Sequence, residues 1–160
     1  MKSETRLHRC CFTGHRPEKL SRPESEIVAA LDREIRAAID DGFVTFISGM
    51  SRGVDIWAAE IVLRMKAENC PLHLIGAVPF EGFDRRWPAE WKKRYHEVLA
   101  AADRVEYISP AYSPASFQLR NEWMVDRSAR VIAVFNGERG GTKNTIDYAA
   151  RKGVYVVNAI

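Results

Sequence analysis

"FISGMSRGVDIWAAE", residues 46–60, is the stretch on which the reading of the fold turns. Phe46 and Ile47 close an apolar run, Ser48 to Gly53 form a glycine-bearing turn, and an apolar-periodic segment with Asp55 and Glu60 follows. Strand, tight turn and helix in that order make one crossover of an α/β sheet, and turns of this kind often cradle phosphate. The Lys-Ser/Thr of a P-loop is absent, however, and the glycines do not fit G-x-G-x-x-G. The surrounding chain has to say what the turn holds.

The same alternation runs from end to end. Apolar runs at 9–14, 43–49, 72–80, 104–109, 130–137 and 154–159, most of them near-continuous, read as parallel strands, most covered on both faces. Helical spacing fills 24–40, 54–68, 88–101, 114–129 and 142–152. Ser21 with Glu24 reads as a capping box for the first of these helices, and Ser113-Pro114 as the cap and first position of the fourth. Right-handed crossovers then predict a Rossmann-like three-layer α/β/α sandwich around a mostly parallel six-stranded sheet. With no repeat, low-complexity tract or linker, residues 1–160 are expected to form one domain.

Composition narrows the classes. The chain is 46% hydrophobic and 28% charged, as globular proteins are, and its formal net charge of +3 is too mild to announce a nucleic-acid binder. No apolar run reaches membrane-spanning length, and the stretch MKSETRLHRCCF lacks the apolar segment of a secretory leader. Cys10, Cys11 and Cys70 give neither a disulfide framework nor a zinc spacing, so reduced thiols in a cytoplasmic protein are expected, with no metal.

Chemistry-bearing residues gather on one edge of the predicted sheet. Ligands of open parallel sheets bind at the carboxyl ends of the strands. The loops at those ends read Thr13-Gly14-His15-Arg16, Ser48 to Gly53, Pro79 to Arg86, Ser109 to Ser113 and Asn136 to Thr142, while the opposite loops are short and plain. Glycine admits a close ligand, a helix start offers free N–H groups, and hydroxyls and arginines donate to phosphate oxygens. Thr13, Gly14, Arg16, Gly49, Arg52, Gly53, Gly140, Gly141 and Thr142 are therefore expected to hold phosphates, with Arg139 and Ser51 as further donors.

Three polar positions have two readings each. Arg120 interrupts the stripe of Phe117 and Met124, either as a ligand contact or as a partner for Asp55. Asp55 complements a helix dipole or accepts from a sugar hydroxyl. His15 is an acid–base candidate without a visible triad. Trp57, Trp91 and Trp123 fall on helix stripes, while Trp87, at the mouth of the third loop, is the expected base-stacking ring.

These motifs together carry a resemblance. TGHRP, ISGMSRGVDIWAAE, PFEG and YSPASFQLRNEWMVDRSARVIAVFNGERGGTKNTIDYAARKG resemble the YpsA-like branch of the SLOG superfamily, in order, from Thr13 to Gly153. The turn from Ser48 to Asp55 and the segment from Phe117 to Asn121 are similar to motifs of DNA-processing protein A. Gly140-Gly141-Thr142 resembles the loop of cytokinin-releasing phosphoribohydrolases. Where those hydrolases place a glutamate, two or three residues after the threonine, this chain has Asn144 or Thr145.

The resemblance implies binding of a nucleotide-derived ligand, ADP-ribose or NAD-like in character, more firmly than hydrolysis. Its expected site is Thr13, Gly14, His15, Arg16, Ser48, Gly49, Arg52, Gly53, Asp55, Arg120, Asn121, Gly140, Gly141 and Thr142. Cleavage of an N-glycosidic bond and binding of single-stranded DNA are the alternatives. No cofactor beyond that nucleotide is implied, and the residues leave open whether the chain forms a homo-oligomer.

Overall fold

The computed structural model describes residues 5–160. Six strands run β1 (Arg9–Gly14), β2 (Thr45–Ser48), β3 (His73–Phe80), β4 (Arg104–Ser109), β5 (Arg130–Val134) and β6 (Tyr155–Asn158). Between them lie α1 (Glu24–Asp40), α2 (Val54–Ala67), α3 (Ala89–Ala101), α4 (Ser116–Asp126) and α5 (Gly141–Arg151). Every strand pairing is parallel, in the order β4-β3-β2-β1-β5-β6. This is the Rossmann-like α/β sheet that the apolar runs predict.

Side-chain alternation divides the core between the two faces. Cys10 and Phe12 point with Phe46, Leu74 and Val78 into one apolar layer, where Ile27, Leu31, Ile35, Trp57, Ile61 and Tyr95 cover them. Cys11 points the other way, with Ile47, Ile75 and Val131, against Met124, Val125 and Ala149. α1, α2 and α3 thus cover one face, and α4 and α5 the other. The chain steps outward from β1 to β4, then crosses to the far side of β1 to lay down β5. Loops leaving β1 and β5 consequently diverge to opposite faces, which opens a crevice between them at their carboxyl ends.

Two predicted helix starts differ from the structure. α1 is preceded by Pro23 in extended conformation with no side-chain cap, so Ser21 and Glu24 form no capping box. α4 begins at Ser116, because the Ser113 N–H donates to Ser116 Oγ at 2.9 Å and closes Ser113-Pro114-Ala115 as a turn ahead of the helix. Among the described residues no helix is long and apolar enough to cross a membrane.

Candidate functional site

The turn between β2 and α2 is stitched to itself. Ser48 Oγ donates to Asp55 O at 2.8 Å and accepts the Met50 N–H at 3.1 Å. Met50 is held in the left-handed region at φ 65° with its side chain fully buried. Gly53 starts α2 at φ 90°, and a Cβ there would lie 2.9 Å from Pro17. Gly14 is squeezed harder, since its Cβ would meet Val54 at 2.5 Å. Tight packing between the β1 loop and the start of α2 therefore accounts for both glycines.

Between the β1 and β5 loops lies a cleft of about 340 Å³. Thr13, Gly14, His15, Arg16, Asp55, Arg120, Asn121, Gly140, Gly141 and Thr142 all line it, so ten of the fourteen expected positions converge. Ser48, Gly49, Arg52 and Gly53 lie outside the lining. Ser48 is spent on its own turn, and Gly49 lies behind Arg120 and Asp55. Arg52 forms a two-pronged ion pair with Glu18 at 2.9 and 3.2 Å. Ser51 and Arg139 line the cleft, as do Lys19 and Phe117, which the sequence reading passed over. Lys19 had a signal: it follows Arg16 by three residues, and the Pro17–Lys19 turn folds it back.

Charge is distributed unevenly across the cleft. Arg16, Lys19 and Arg139 are exposed at the rim, and none forms an ion pair with a carboxylate of the described residues. On the floor, Asp55 and Arg120 are 6% and 5% exposed. Arg120 Nε donates to Asn121 Oδ1 at 2.8 Å, and its Nη1 donates to Gly49 O. Asp55 Oδ2 accepts the Ser51 N–H at 3.2 Å, while Oδ1 is buried without a hydrogen-bond partner among the described residues. Burial pushes the Asp55 carboxyl up to about 6, although Arg120 and Ser51 pull it down. The partnership of Asp55 with Arg120 is thus one of proximity without a formed ion pair.

His15 is an acceptor here. Its Nε2 accepts the Asn136 N–H at 3.2 Å, and its ring stacks on Phe135 at 5.6 Å. Burial lowers its pKa, and an accepting Nε2 leaves the proton on Nδ1. Such a ring can donate to a ligand but is poorly suited to act as an acid.

Two positions resolve differently from expectation. Trp87 is edge-packed against Phe83 at 4.8 Å and Tyr95 at 5.2 Å, away from the cleft. The exposed ring at the cleft wall is Phe117, which is 42% exposed and braced by Phe80 at 5.8 Å, whereas Phe12 lines the cleft fully buried. At the hydrolases' glutamate position Asn144 is exposed and Thr145 is buried, its hydroxyl turned back to Gly141 O at 2.8 Å. Asp147 is taken by Lys143 at 2.8 Å.

Comparison with known proteins agrees with the fold. The YpsA family model, described as "YspA SLOG family", matches residues 10–155. The chain belongs to this family. UPF0398 proteins of Halalkalibacterium halodurans and Bacillus thuringiensis are 29% and 31% identical over 88% of the chain, which spans 79% and 80% of their lengths. Among solved structures, DNA processing protein A from Streptococcus pneumoniae superposes on 94% of the chain with a TM-score of 0.66 at 19% identity. The same protein from Helicobacter pylori, whose structure is described for its single-stranded DNA binding mode, covers 97% with 0.65 at 22%. The chain spans only 49% and 66% of those two proteins. At these identities the likeness is one of fold, and the SLOG membership rests on the family match.

Proposed function

We propose that the cleft between the β1 and β5 loops binds a nucleotide or nucleotide-derived molecule, ADP-ribose or NAD-like in character. One observation carries the reading: the start of α5 at Gly140-Gly141 faces Thr13 to Arg16 across the cleft, beneath three cationic side chains that form no ion pair with a carboxylate of the described residues. Helix N–H groups and unpaired cations attract an anion, and Phe117 offers an aromatic wall for a base. On this reading Gly140, Gly141, Thr142, Thr13, Arg16, Lys19 and Arg139 hold phosphate, and His15 Nδ1 adds a donor. Arg52 and Gly53 shape the loop from behind. The cytoplasm is the place of action that three free cysteines fit best.

Binding is favoured over cleavage because Asn144 or Thr145 stands at the hydrolases' acid position, neither is a carboxylic acid, and the Thr145 hydroxyl is engaged with Gly141 O. A thermal-shift panel of ADP-ribose, NAD, ADP and AMP tests the proposal. A ligand at a hundred times its Kd adds about 2.7 kcal/mol, which raises Tm by roughly 5–10 °C in a chain of this length. No shift with any of them at millimolar concentration refutes it, and release of free base from AMP would show that the site also hydrolyses.

Likeness to the Helicobacter pylori protein supports a second reading, binding of single-stranded DNA at the same rim. That reading requires affinity to fall steeply with salt, in proportion to the phosphates contacted. It is set aside if oligonucleotides bind no better than a mononucleotide at moderate salt.

A further inference from the structure

Asp55 and Arg120 meet at the floor of the cleft without neutralising each other. A Cβ on Gly49 would stand 2.8 Å from both Arg120 Nη1 and Asp55 Oδ2, yet the guanidinium is directed at Gly49 O and Asn121 Oδ1. Arg120 Nη2 has no acceptor among the described residues, and Asp55 Oδ1 has no donor. Asn121 continues the row, its Nδ2 lying 4.0 Å from where a Cβ of Gly141 would stand. Floor and phosphate loop are therefore contiguous, in the order Asp55, Arg120, Asn121, Gly141.

The chemistry of this floor restricts what can rest on it. Phosphate is repelled by Asp55 and a cation by Arg120, while an apolar group leaves both polar atoms unsatisfied. A neutral group that donates to Oδ1 and accepts from the guanidinium satisfies both, and a hydroxyl is the simplest such group. In a ligand anchored by phosphate at Gly141, the hydroxyls nearest to hand are those of the sugar.

We infer that Asp55 and Arg120 read a ribose hydroxyl, so that the site takes ribonucleotides and rejects their deoxy counterparts. This rests on the nucleotide reading of the cleft, and it deepens that reading by naming the sugar as the selected part. It also predicts that a DNA strand is a poor occupant of the floor, whatever the rim does.

Isothermal titration calorimetry of the full chain with ADP, 2′-deoxy-ADP, 3′-deoxy-ADP and inorganic pyrophosphate tests it. At least one deoxy analogue should bind about tenfold or more weakly than ADP, since a polar site built for a hydroxyl is left unpaired by its loss. Asp55→Asn should bring ADP and that analogue within about threefold of each other, while pyrophosphate binds at least as tightly as to the parent because a repelling carboxylate is gone; retained pyrophosphate binding also certifies that the variant is folded. If the variant does not fold, the analogue series with the unmodified chain decides alone. Equal affinities of the unmodified chain for ADP and both deoxy analogues overturn the inference and leave the nucleotide reading standing. Failure of ADP and pyrophosphate alike to bind overturns both.

Discussion

Two glycine turns look alike in the sequence and do different work in the fold. The turn before α2 is closed by the protein's own atoms: Gly49 is backed by Arg120 and Asp55, and Gly53 by Pro17. The turn before α5 is open. Gly140 has no atom within 4 Å of its Cβ position, and Gly141 has only the Asn121 amide, at the limit of contact. Glycine in the first turn answers to packing. Packing makes no such demand at Gly141, so its missing side chain leaves room at the helix start for something else to approach. The stretch that reads first as a phosphate cradle is thus the back wall of the site, and the loop from Asn136 to Thr142 is its mouth.

Substitution at the closed side should have the largest effect. Gly14→Ala forces a Cβ to within 2.5–2.7 Å of three Val54 side-chain atoms, and Val54 is 1% exposed. Overpacking of this kind costs about 3 kcal/mol, a fall in Tm of roughly 6–12 °C by calorimetry. An unaltered Tm would mean that β1 and α2 do not approach this closely.

Asp55 provides the next effect, through pH. Its carboxyl rises from 3.8 to about 6 on folding, chiefly through burial. A carboxyl raised in the folded state loses stability as pH climbs from 3.8 through 6, and the loss then stays constant. Asp55→Asn removes that dependence. The stability of the variant relative to the parent should therefore improve by about 2–3 kcal/mol between pH 4 and pH 8, measured by denaturant unfolding at both pH values. A relative stability that is flat or declines with pH contradicts the raised carboxyl.

At the surface the expected changes are small. Arg52→Ala breaks only the Glu18 pair, whose carboxylate is half exposed, and should alter stability by at most about 0.5 kcal/mol. Nucleotide affinity should stay within about twofold by titration calorimetry. A large loss of affinity would return Arg52 to the ligand and erase the contrast between the two turns.

The sheet was legible in the sequence because parallel strands buried on both faces write continuous apolar runs, as in LHLIGAVPF and RVIAV. So was the edge carrying the cleft, since the loops at the carboxyl ends of the strands hold the glycines and arginines. Long-range partners were not legible. Glu18 lies 34 residues from Arg52, and nothing local in SGMSRGVD says that the guanidinium turns to it. Pro17 against Gly53 and Val54 against Gly14 are contacts of the same kind, which only the crossover brings together. Trp87 and Phe117 could not be ranked either, because which ring reaches the cleft depends on how the β3 loop packs on Tyr95. The caps expected at Ser21 and Ser113 failed for a nearer reason: Pro23 is itself the extended residue ahead of α1, and the Ser116 hydroxyl closes a turn back to Ser113 ahead of α4.

The central claim is that the open turn at α5 receives the anion, and Gly141→Val tests it most directly. A Cβ at 141 meets only the edge of the Asn121 amide, so Tm should remain within about 2 °C of the parent, while ADP affinity measured by titration calorimetry falls at least tenfold as the helix start is covered. Undiminished ADP binding by a folded Gly141→Val variant would contradict the account.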